Sequence, residues 1–207
     1  MFSTCVLYKH VNKTPHYTDF PVYIMAQSIA STETQPSTET KDTFAKHDMK
    51  NTPLYSFENK SMWARVLSVH DGDTITCAIE SFPGAFFRYN VRLDGIDTSE
   101  MTSKDERAKS FAEQARNRLI SYLTRETVQP KGHCVRSSVV NIFSSDVYLV
   151  YLTCSKMDKY GRVLAKVTVH PKEESANDML LREGYATQYD GGKKTMDWTK
   201  QDKTIEQ

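Results

Sequence analysis

The sequence has little of what marks several specialised protein classes. Its 207 residues include only four cysteines, eight glycines and seven prolines. The glycine and proline content excludes collagen. The cysteines (Cys5, Cys77, Cys134 and Cys154) form no Cys-x-x-Cys pair and have no histidine at zinc-finger spacing, which argues against a structural zinc site. Four cysteines in so long a chain also argue against a disulfide framework, so free thiols are expected.

Long hydrophobic runs are missing as well. No stretch approaches about 18 consecutive apolar residues, so no transmembrane helix and no membrane partner are predicted. The N-terminal region has no apolar run long enough for a signal peptide, which favours an intracellular protein.

The chain also lacks an excess of charge of one sign. Lysine and arginine total 27 against 26 acidic residues, which gives a net charge of +1. A globally basic nucleic-acid binder would carry a surplus of lysine and arginine, so the balance argues against that class. It still permits basic residues that are concentrated at one site, where they would hold a ligand locally and weakly.

Two regions of the sequence differ in pattern. Residues 1–60 show no sustained periodicity, and residues 28–40 are rich in Ser and Thr and poor in hydrophobic residues, which is typical of disorder. From Met62 the pattern changes, and segments with strand-like alternation are followed by segments with helical spacing. We therefore predict a disordered tail over 1–60 and one domain over 61–207.

Five short strands are predicted in the domain. Period-two alternation and an Asp-Gly turn at residues 71–73 indicate a hairpin followed by a third strand, and two more strands come later. On the third strand the alternation places Arg92 away from the core. The apolar run of the fourth suggests a strand covered on both faces. The predicted strands are Met62–His70, Thr74–Ile79, Phe86–Ile96, Val147–Cys154 and Arg162–Val169.

Two helices are predicted between and after these strands. Ser103 and Glu106 fit a capping box, and apolar residues then recur at helical spacing up to Leu123. A second helix runs from Ala176 to Glu183 and stops at Gly184. Residues 125–145 are expected to be a loop with a short strand at Val139–Phe143. The order β-β-β-α-β-β-α predicts a mainly β or α+β domain, a five-stranded OB-fold barrel with two to three helices.

Three segments contain the residues suited to catalysis. They are Asp71-Gly72-Asp73-Thr74, Arg92-Leu-Asp-Gly-Ile-Asp97-Thr98-Ser99-Glu100 and Asp158-Lys159-Tyr160-Gly161-Arg162. Each alone could be an ordinary turn or an exposed strand end with solvated charges. The first is not an EF-hand, because Ile75 and Phe82 occupy positions that need oxygen ligands.

Together, the three segments suit phosphodiester hydrolysis. Asp73 and Asp97 can offer oxygen ligands to a hard cation. Glu100 can hold and deprotonate a water molecule. Arg92 and Arg162 can neutralise the charge that develops on the phosphoryl oxygens.

At these motifs the sequence resembles the staphylococcal nuclease-like family, over about residues 62–192. The resemblance rests on the Asp-Gly-Asp-Thr turn, the Arg…Ile-Asp-Thr-x-Glu strand end and the Tyr-Gly-Arg segment in this order. It implies an OB barrel and a Ca²⁺ ion, with another divalent ion as an alternative. Asp73, Asp97 and the Thr98 backbone carbonyl would hold the ion, and Asp71 would support it through water.

The resemblance also implies the remaining roles. Glu100 would be the general base or position the attacking water, and Arg92 and Arg162 would bind the scissile phosphate. Lys159, Tyr160 and Tyr189 would line the nucleotide groove. Such an enzyme cuts DNA and RNA with little sequence preference and leaves 3′-phosphate ends, and a monomer is expected.

Three departures from the family pattern stand out. Ser99 replaces the usual proline and removes a restraint on φ near Glu100. The segment before the Tyr-Gly-Arg motif is expanded. The short C-terminal tail leaves little room for a longer helix, and Trp198 could anchor it instead. The alternative function is a catalytically weak or inactive OB-fold module that binds nucleic acid or peptide.

Overall fold

The computed structural model describes residues 35–192 and 196–200. The chain divides into two compact units, residues 1–54 and 55–207. The described part of the first unit contains helix α1 (Thr38–Phe44), whose N-cap Ser37 accepts a hydrogen bond from the Thr40 N–H. The predicted disordered run over 28–40 begins outside the described residues and overlaps α1 at its end. Disorder over residues 1–34 stays a prediction.

A closed five-stranded barrel is the centre of the second unit, which confirms the predicted fold class. Its strands neighbour one another in the order β1-β2-β3-β6-β5, and β5 closes on β1. All pairs are antiparallel except β3 with β6. Two short strands, β4 and β7, form a separate antiparallel pair. The strands are β1 (Ser61–Asp71), β2 (Thr74–Phe82), β3 (Ala85–Leu93), β4 (Ile96–Thr98), β5 (Leu149–Met157), β6 (Val163–Thr168) and β7 (Ala186–Gln188).

Three α-helices accompany the barrel in the described part of this unit. They are α2 (Glu106–Leu123), α3 (Arg136–Ser145) and α4 (Ala176–Arg182), and a 3-10 turn follows at Trp198–Lys200. Both predicted helices are present, and Gly184 follows α4 with φ +74°. Trp198 is buried and its ring centroid lies 6.2 Å from that of Phe111 of α2, so the 3-10 turn packs on this helix. None of the helices over 35–192 and 196–200 has the length and hydrophobicity to cross a bilayer.

The barrel interior follows the predicted alternation. Inward side chains from all five strands are almost completely buried, because one face of each strand is removed from water. Phe57 is 1% exposed and belongs to the same core, so the compact unit includes residues before the predicted boundary at 61. The interior includes Val66, Val69, Ile75, Cys77, Ile79, Val91, Leu93, Val150, Leu152, Cys154, Val163, Ala165 and Val167.

The predicted third strand is in fact two elements. Strand β3 ends at Leu93, and the chain turns at Gly95, whose φ of +76° favours glycine. Residues 96–98 then form β4, which pairs with β7 instead of continuing the barrel. The turn moves Asp97 and Thr98 off the barrel wall and across the end of β3.

The prediction for residues 125–145 was wrong in one part. The expected short strand at Val139–Phe143 lies within helix α3. Val139 and Phe143 are the buried residues of this helix, and their spacing of four is a helical period. The expanded segment therefore contributes a helix that packs on β1.

Two finer predictions were also wrong. Strand β5 is covered on one face only, since Leu149 and Tyr151 on its other face are exposed. Helix α2 is capped by Asp105, whose carboxylate accepts hydrogen bonds from the backbone N–H groups of Arg107 and Ala108 at 2.9 Å. An ionised cap one residue before the helix satisfies two end groups at once, so the predicted Ser103 capping box does not form.

Candidate active site

The β1–β2 turn packs directly against helix α2. A Cβ atom added to Gly72 would lie 2.7 Å from Cβ of Ala115 and 3.0 Å from Cγ2 of Thr98. Contacts that short do not occur between real side chains, so only glycine allows this approach. Gly72 thereby brings the flanking Asp71 and Asp73 to the β4 segment.

Asp73 links this turn to β4. Its side chain is buried, and Oδ2 accepts hydrogen bonds from the backbone N–H and the hydroxyl of Thr98, both at 3.0 Å. Oδ1 accepts a third from the Thr74 hydroxyl at 3.0 Å. Residues 25 positions apart in sequence are therefore fixed together at the barrel end.

Arg92 joins two buried carboxylates. Its Nη1 contacts Oδ1 of Asp73, and its Nη2 donates to Oδ1 of Asp97 at 3.0 Å and to the carbonyl of Ile96 at 3.2 Å. The Arg92 side chain is 12% exposed, and those of the two aspartates are 3% and 5% exposed. Buried carboxylates need such partners, because an unpaired charge in this environment is costly.

A third carboxylate lies beside this cluster. Burial raises the pKa of Asp71, which hydrogen bonding to Thr74 and the charge of Arg92 only partly offset. The negative charge of Glu100 raises this pKa further. Several acidic groups thus share the neighbourhood of Arg92, an arrangement that attracts an additional cation.

Arg162 is held by a different segment, the turn between β5 and β6. Oδ1 of Asp158 accepts the backbone N–H groups of Tyr160 and Arg162 at 2.9 Å, and Oδ2 accepts Nε of Arg162 at 2.6 Å. Burial works to raise the pKa of Asp158, but the hydrogen bonds and charge of Arg162 outweigh it and hold the pKa below its usual value. Gly161, with φ +80°, allows the chain to turn between them.

The positioning contact from Asp158 was not predicted. An aspartate four residues before an arginine, with a glycine between them, is the signal that could have revealed it. Because Asp158 engages the Nε edge of Arg162, the opposite edge of the guanidinium is directed toward the cavity described next.

A cavity of about 290 Å³ brings most of the predicted site together. Asp97 does not line it and lies behind Arg92. Lys159 lines a neighbouring groove of about 580 Å³, to which Tyr160, Arg162 and Tyr189 also contribute. The cavity is lined by Asp71, Asp73, Arg92, Thr98, Ser99, Glu100, Tyr160, Arg162 and Tyr189.

Tyr160 stands at the entrance to both spaces. Its side chain is 74% exposed, with Lys159 Nζ 5.1 Å and the Arg162 guanidinium carbon 5.6 Å from the ring centroid. Both distances suit cation–π contacts. Tyr189 is half-buried, and its hydroxyl donates to the carbonyl of Gly192 at 2.9 Å. Two aromatic rings beside basic groups form a surface on which a nucleobase can stack.

Ser99 stands where the family pattern has proline, and it forms a contact that proline cannot. The residue is 2% exposed, and its Oγ donates to the backbone carbonyl of Ala108 in α2 at 2.5 Å. This hydrogen bond ties the segment before Glu100 to the first turn of the helix. The sequence alone indicated the lost restraint on φ but not this added hydrogen bond.

The site offers oxygen donors, the ligand type that a hard divalent cation prefers. Asp73 and Asp97 are both within contact of one guanidinium, and Asp71 adds a third carboxylate, so oxygen is the donor type present. No cluster of three or more His, Cys, Asp or Glu side chains arranged for a metal occurs in residues 35–192 and 196–200. The ligand set that the resemblance implies has only two such side chains, those of Asp73 and Asp97, together with a backbone carbonyl and water.

A family model described as "Staphylococcal nuclease homologue" matches residues 90–207, more than half of the chain. The matched range contains Arg92, Asp97, Glu100 and Arg162, while Asp71 and Asp73 lie before it. No curated protein matches the sequence.

Proposed function

We propose that this chain, which belongs to the staphylococcal nuclease homologue family, is a metal-dependent nuclease that hydrolyses phosphodiester bonds of DNA or RNA. One observation supports this proposal more than any other. Two arginines from separate parts of the fold line one cavity together with Asp71, Asp73 and Glu100. Phosphodiester hydrolysis needs cationic groups around the phosphate and a carboxylate near the attacking water.

Asp73, Asp97 and the Thr98 backbone carbonyl would hold a divalent ion, with Ca²⁺ the first candidate and Asp71 supporting it through water. When bound, the ion would neutralise charge on a non-bridging phosphoryl oxygen. The carboxylate oxygens of Asp73 and Asp97 support this assignment, because a hard cation takes oxygen ligands. The ion would compete with Arg92 for them.

The protein's own side chains would do the rest. Arg92 and Arg162 would bind the phosphate from two sides. Their N–H donors would stabilise the charge that develops on the phosphoryl oxygens in the pentacoordinate transition state. Glu100 is exposed at the cavity and would orient the attacking water and accept its proton. Lys159, Tyr160 and Tyr189 would hold the adjoining nucleotide without selecting its base, since every base has a face that can stack.

A binding module without catalysis is the second candidate. The contacts of Arg92 with both Asp73 and Asp97 favour it, because a guanidinium that neutralises these carboxylates competes with a metal ion. Such a module would bind nucleic acid in the same cavity and leave it intact.

A cleavage assay separates the two functions. Single- and double-stranded DNA and RNA are incubated with Ca²⁺, with Mg²⁺ and with a chelator. We expect 3′-phosphate products in Ca²⁺, none in chelator, and a loss of at least about a hundredfold for Glu100→Gln. Glu173→Gln, at an exposed position outside the cavity, is the matched control and should cleave like the wild type.

One outcome would contradict the role of Glu100, and another would contradict nuclease activity itself. Glu100→Gln could cleave at the wild-type rate, which would remove Glu100 from the reaction. Alternatively, oligonucleotides could bind in Ca²⁺ and stay intact over hours, which would favour the binding module.

A further inference from the structure

The outer face of β3 continues away from the candidate cavity. Side chains at alternate positions of a strand share a face, so Asn90 and Arg88 lie on the same face as Arg92. Arg92 lines the cavity, whereas Asn90 and Arg88 are exposed. Four strand residues span about 13 Å, so Arg88 lies roughly that far from Arg92 along β3.

A hydrogen-bond chain crosses this face from β1 to β3. Nε2 of His70 lies 2.8 Å from Oγ1 of Thr76, which donates to Oδ1 of Asn90 at 3.1 Å. Since the Thr76 hydroxyl hydrogen goes to Asn90, His70 is the donor in its own contact. The chain fixes the carbonyl oxygen of Asn90 toward Thr76 and turns its amide N–H groups outward.

Arg136 adds positive charge on the β1 side of this face. It is the first residue of α3, it is exposed, and the helix packs on β1. Burial and then the charge of Arg136 lower the pKa of His70, which places this arginine near the β1 end of the chain of hydrogen bonds. The N-cap of α3, Val135, makes no side-chain hydrogen bond to the helix.

We infer that this face, made of His70, Thr76, Asn90, Arg88 and Arg136 and here called the β3 track, binds the phosphodiester backbone of a nucleic-acid strand as it leaves the catalytic cavity. The inference rests on the proposed function. Continuity supports it, because His70 directly precedes Asp71 and Asn90 lies two residues before Arg92, both of which line the cavity.

The chemistry of the track matches a phosphate backbone. Arg88 and Asn90 are exposed on β3, and Arg136 is exposed at the start of α3. Phosphate oxygens accept hydrogen bonds from guanidinium and amide groups of this kind. The groove at Tyr160 lies at the β5–β6 turn, whereas the track runs along β3 and crosses β2 to β1. The cavity would therefore lie between two binding segments, and affinity should rise with strand length.

The test compares oligonucleotides of different length by fluorescence anisotropy, in Ca²⁺ with Glu100→Gln as the background to prevent cleavage. A thymidine dinucleotide is the short ligand, and a twelve-residue oligothymidylate is the long one. Adding Arg88→Gln or Arg136→Gln should weaken binding of the long ligand several-fold and lower its salt slope by about one per substitution. The affinities of the same variants for the dinucleotide provide the baseline for this comparison.

Arg125→Gln is the matched control. Arg125 is exposed just past the far end of α2, an 18-residue helix about 27 Å long that starts near Glu100. This variant loses the same charge and should bind the long ligand like the background protein. Asn90→Ala should weaken the long ligand without changing the salt slope, because it removes a neutral donor.

The outcomes separate the two proposals. If the long ligand binds no better than the dinucleotide, or if Arg125→Gln weakens it as much as Arg88→Gln and Arg136→Gln do, the track is wrong while the nuclease stands. If no oligonucleotide binds in Ca²⁺ and the wild type cleaves none, the proposed function fails and the track fails with it.

Discussion

The two arginines of the candidate site come from regions that are built differently. Arg92 lies at the end of β3, where it contacts carboxylates of the β1–β2 turn and of β4. Asp73 is linked in turn to Thr98, 25 residues away. The arrangement around Arg92 forms only when several segments that are distant in sequence have packed together.

The region of Arg162 is local by comparison. One five-residue turn contains Asp158, Tyr160 and Arg162. The Asp158 carboxylate accepts the hydrogen bonds that shape this turn and orient the guanidinium. The Arg162 side chain is 30% exposed, whereas that of Arg92 is 12% exposed. One guanidinium is thus part of the folded core, and the other is attached to its surface, although both line the same cavity.

The largest expected effect is one that the two regions share. Arg92→Ala and Arg162→Ala should each reduce cleavage in Ca²⁺ by at least about a hundredfold, because each removes donors to the developing phosphoryl charge. Single-turnover cleavage measures this, with Arg125→Ala as the control. If one arginine proves dispensable, the cavity does not use both.

Stability should separate the two regions. Arg92→Ala leaves two buried carboxylates without their cation and should lower the free energy of unfolding by about 3 kcal/mol or more. Arg162→Ala breaks a partly exposed pair and should cost about 1 kcal/mol or less. Urea denaturation in chelator measures both, and equal losses would contradict the distinction between core and surface.

The glycines of the two turns give a smaller contrast. Gly72→Ala forces a Cβ against Ala115 and should destabilise the protein by about 1–3 kcal/mol. A Cβ at Gly161 meets no atom within 4 Å, so Gly161→Ala should cost about 1 kcal/mol, from its φ of +80° alone. Denaturation midpoints in the reverse order would show that packing against α2 is not what requires Gly72.

Asp158 should affect cleavage less than the two arginines do. Asp158→Asn keeps the size of the side chain but weakens a charge-assisted hydrogen bond to Arg162, so cleavage should fall about tenfold, the equivalent of about 1.5 kcal/mol. Glu173→Gln, which also neutralises a carboxylate but lies outside the cavity, provides a control. Unchanged cleavage by Asp158→Asn would show that Arg162 is positioned without it.

The pH dependence of this pair has a defined sign. The pKa of Asp158 in the folded protein lies below its usual value of 3.8, so its stabilising contribution is complete above that pH. The stability difference between wild type and Asp158→Asn should therefore stay constant above this value and disappear as the pH falls below it. Urea denaturation at several pH values measures this, and a difference that disappears near neutral pH would contradict the assignment.

Local periodicity explains how much of the fold could be predicted. The barrel strands and helices α2 and α4 bury one clear face each, and this repeats visibly along the sequence. Helix α3 was missed because Val139 and Phe143, its buried residues, lie in a short segment rich in Ser and Val that suits a strand equally well. The end of β3 was missed because its pattern continues through Gly95.

The candidate site could be predicted as a set of residues but not as an arrangement. Residue types and motif order were enough to nominate Arg92, Glu100 and Arg162. The contact of Asp73 with Thr98 depends on a turn at Gly95 and on the approach of Gly72 to α2, and neither is a local property of the sequence. Long-range contacts of this kind require the fold.

Ser99, which lines the cavity, connects the cavity wall to helix α2. Its hydrogen bond to Ala108 makes the first turn of α2 and the segment before Glu100 move together. A proline at position 99 would restrict its own φ angle but could not donate a hydrogen bond to α2. With serine, fraying at the Asp105 cap would be transmitted to Glu100, so the start of a helix that contributes no side chain to the reaction becomes a determinant of its rate.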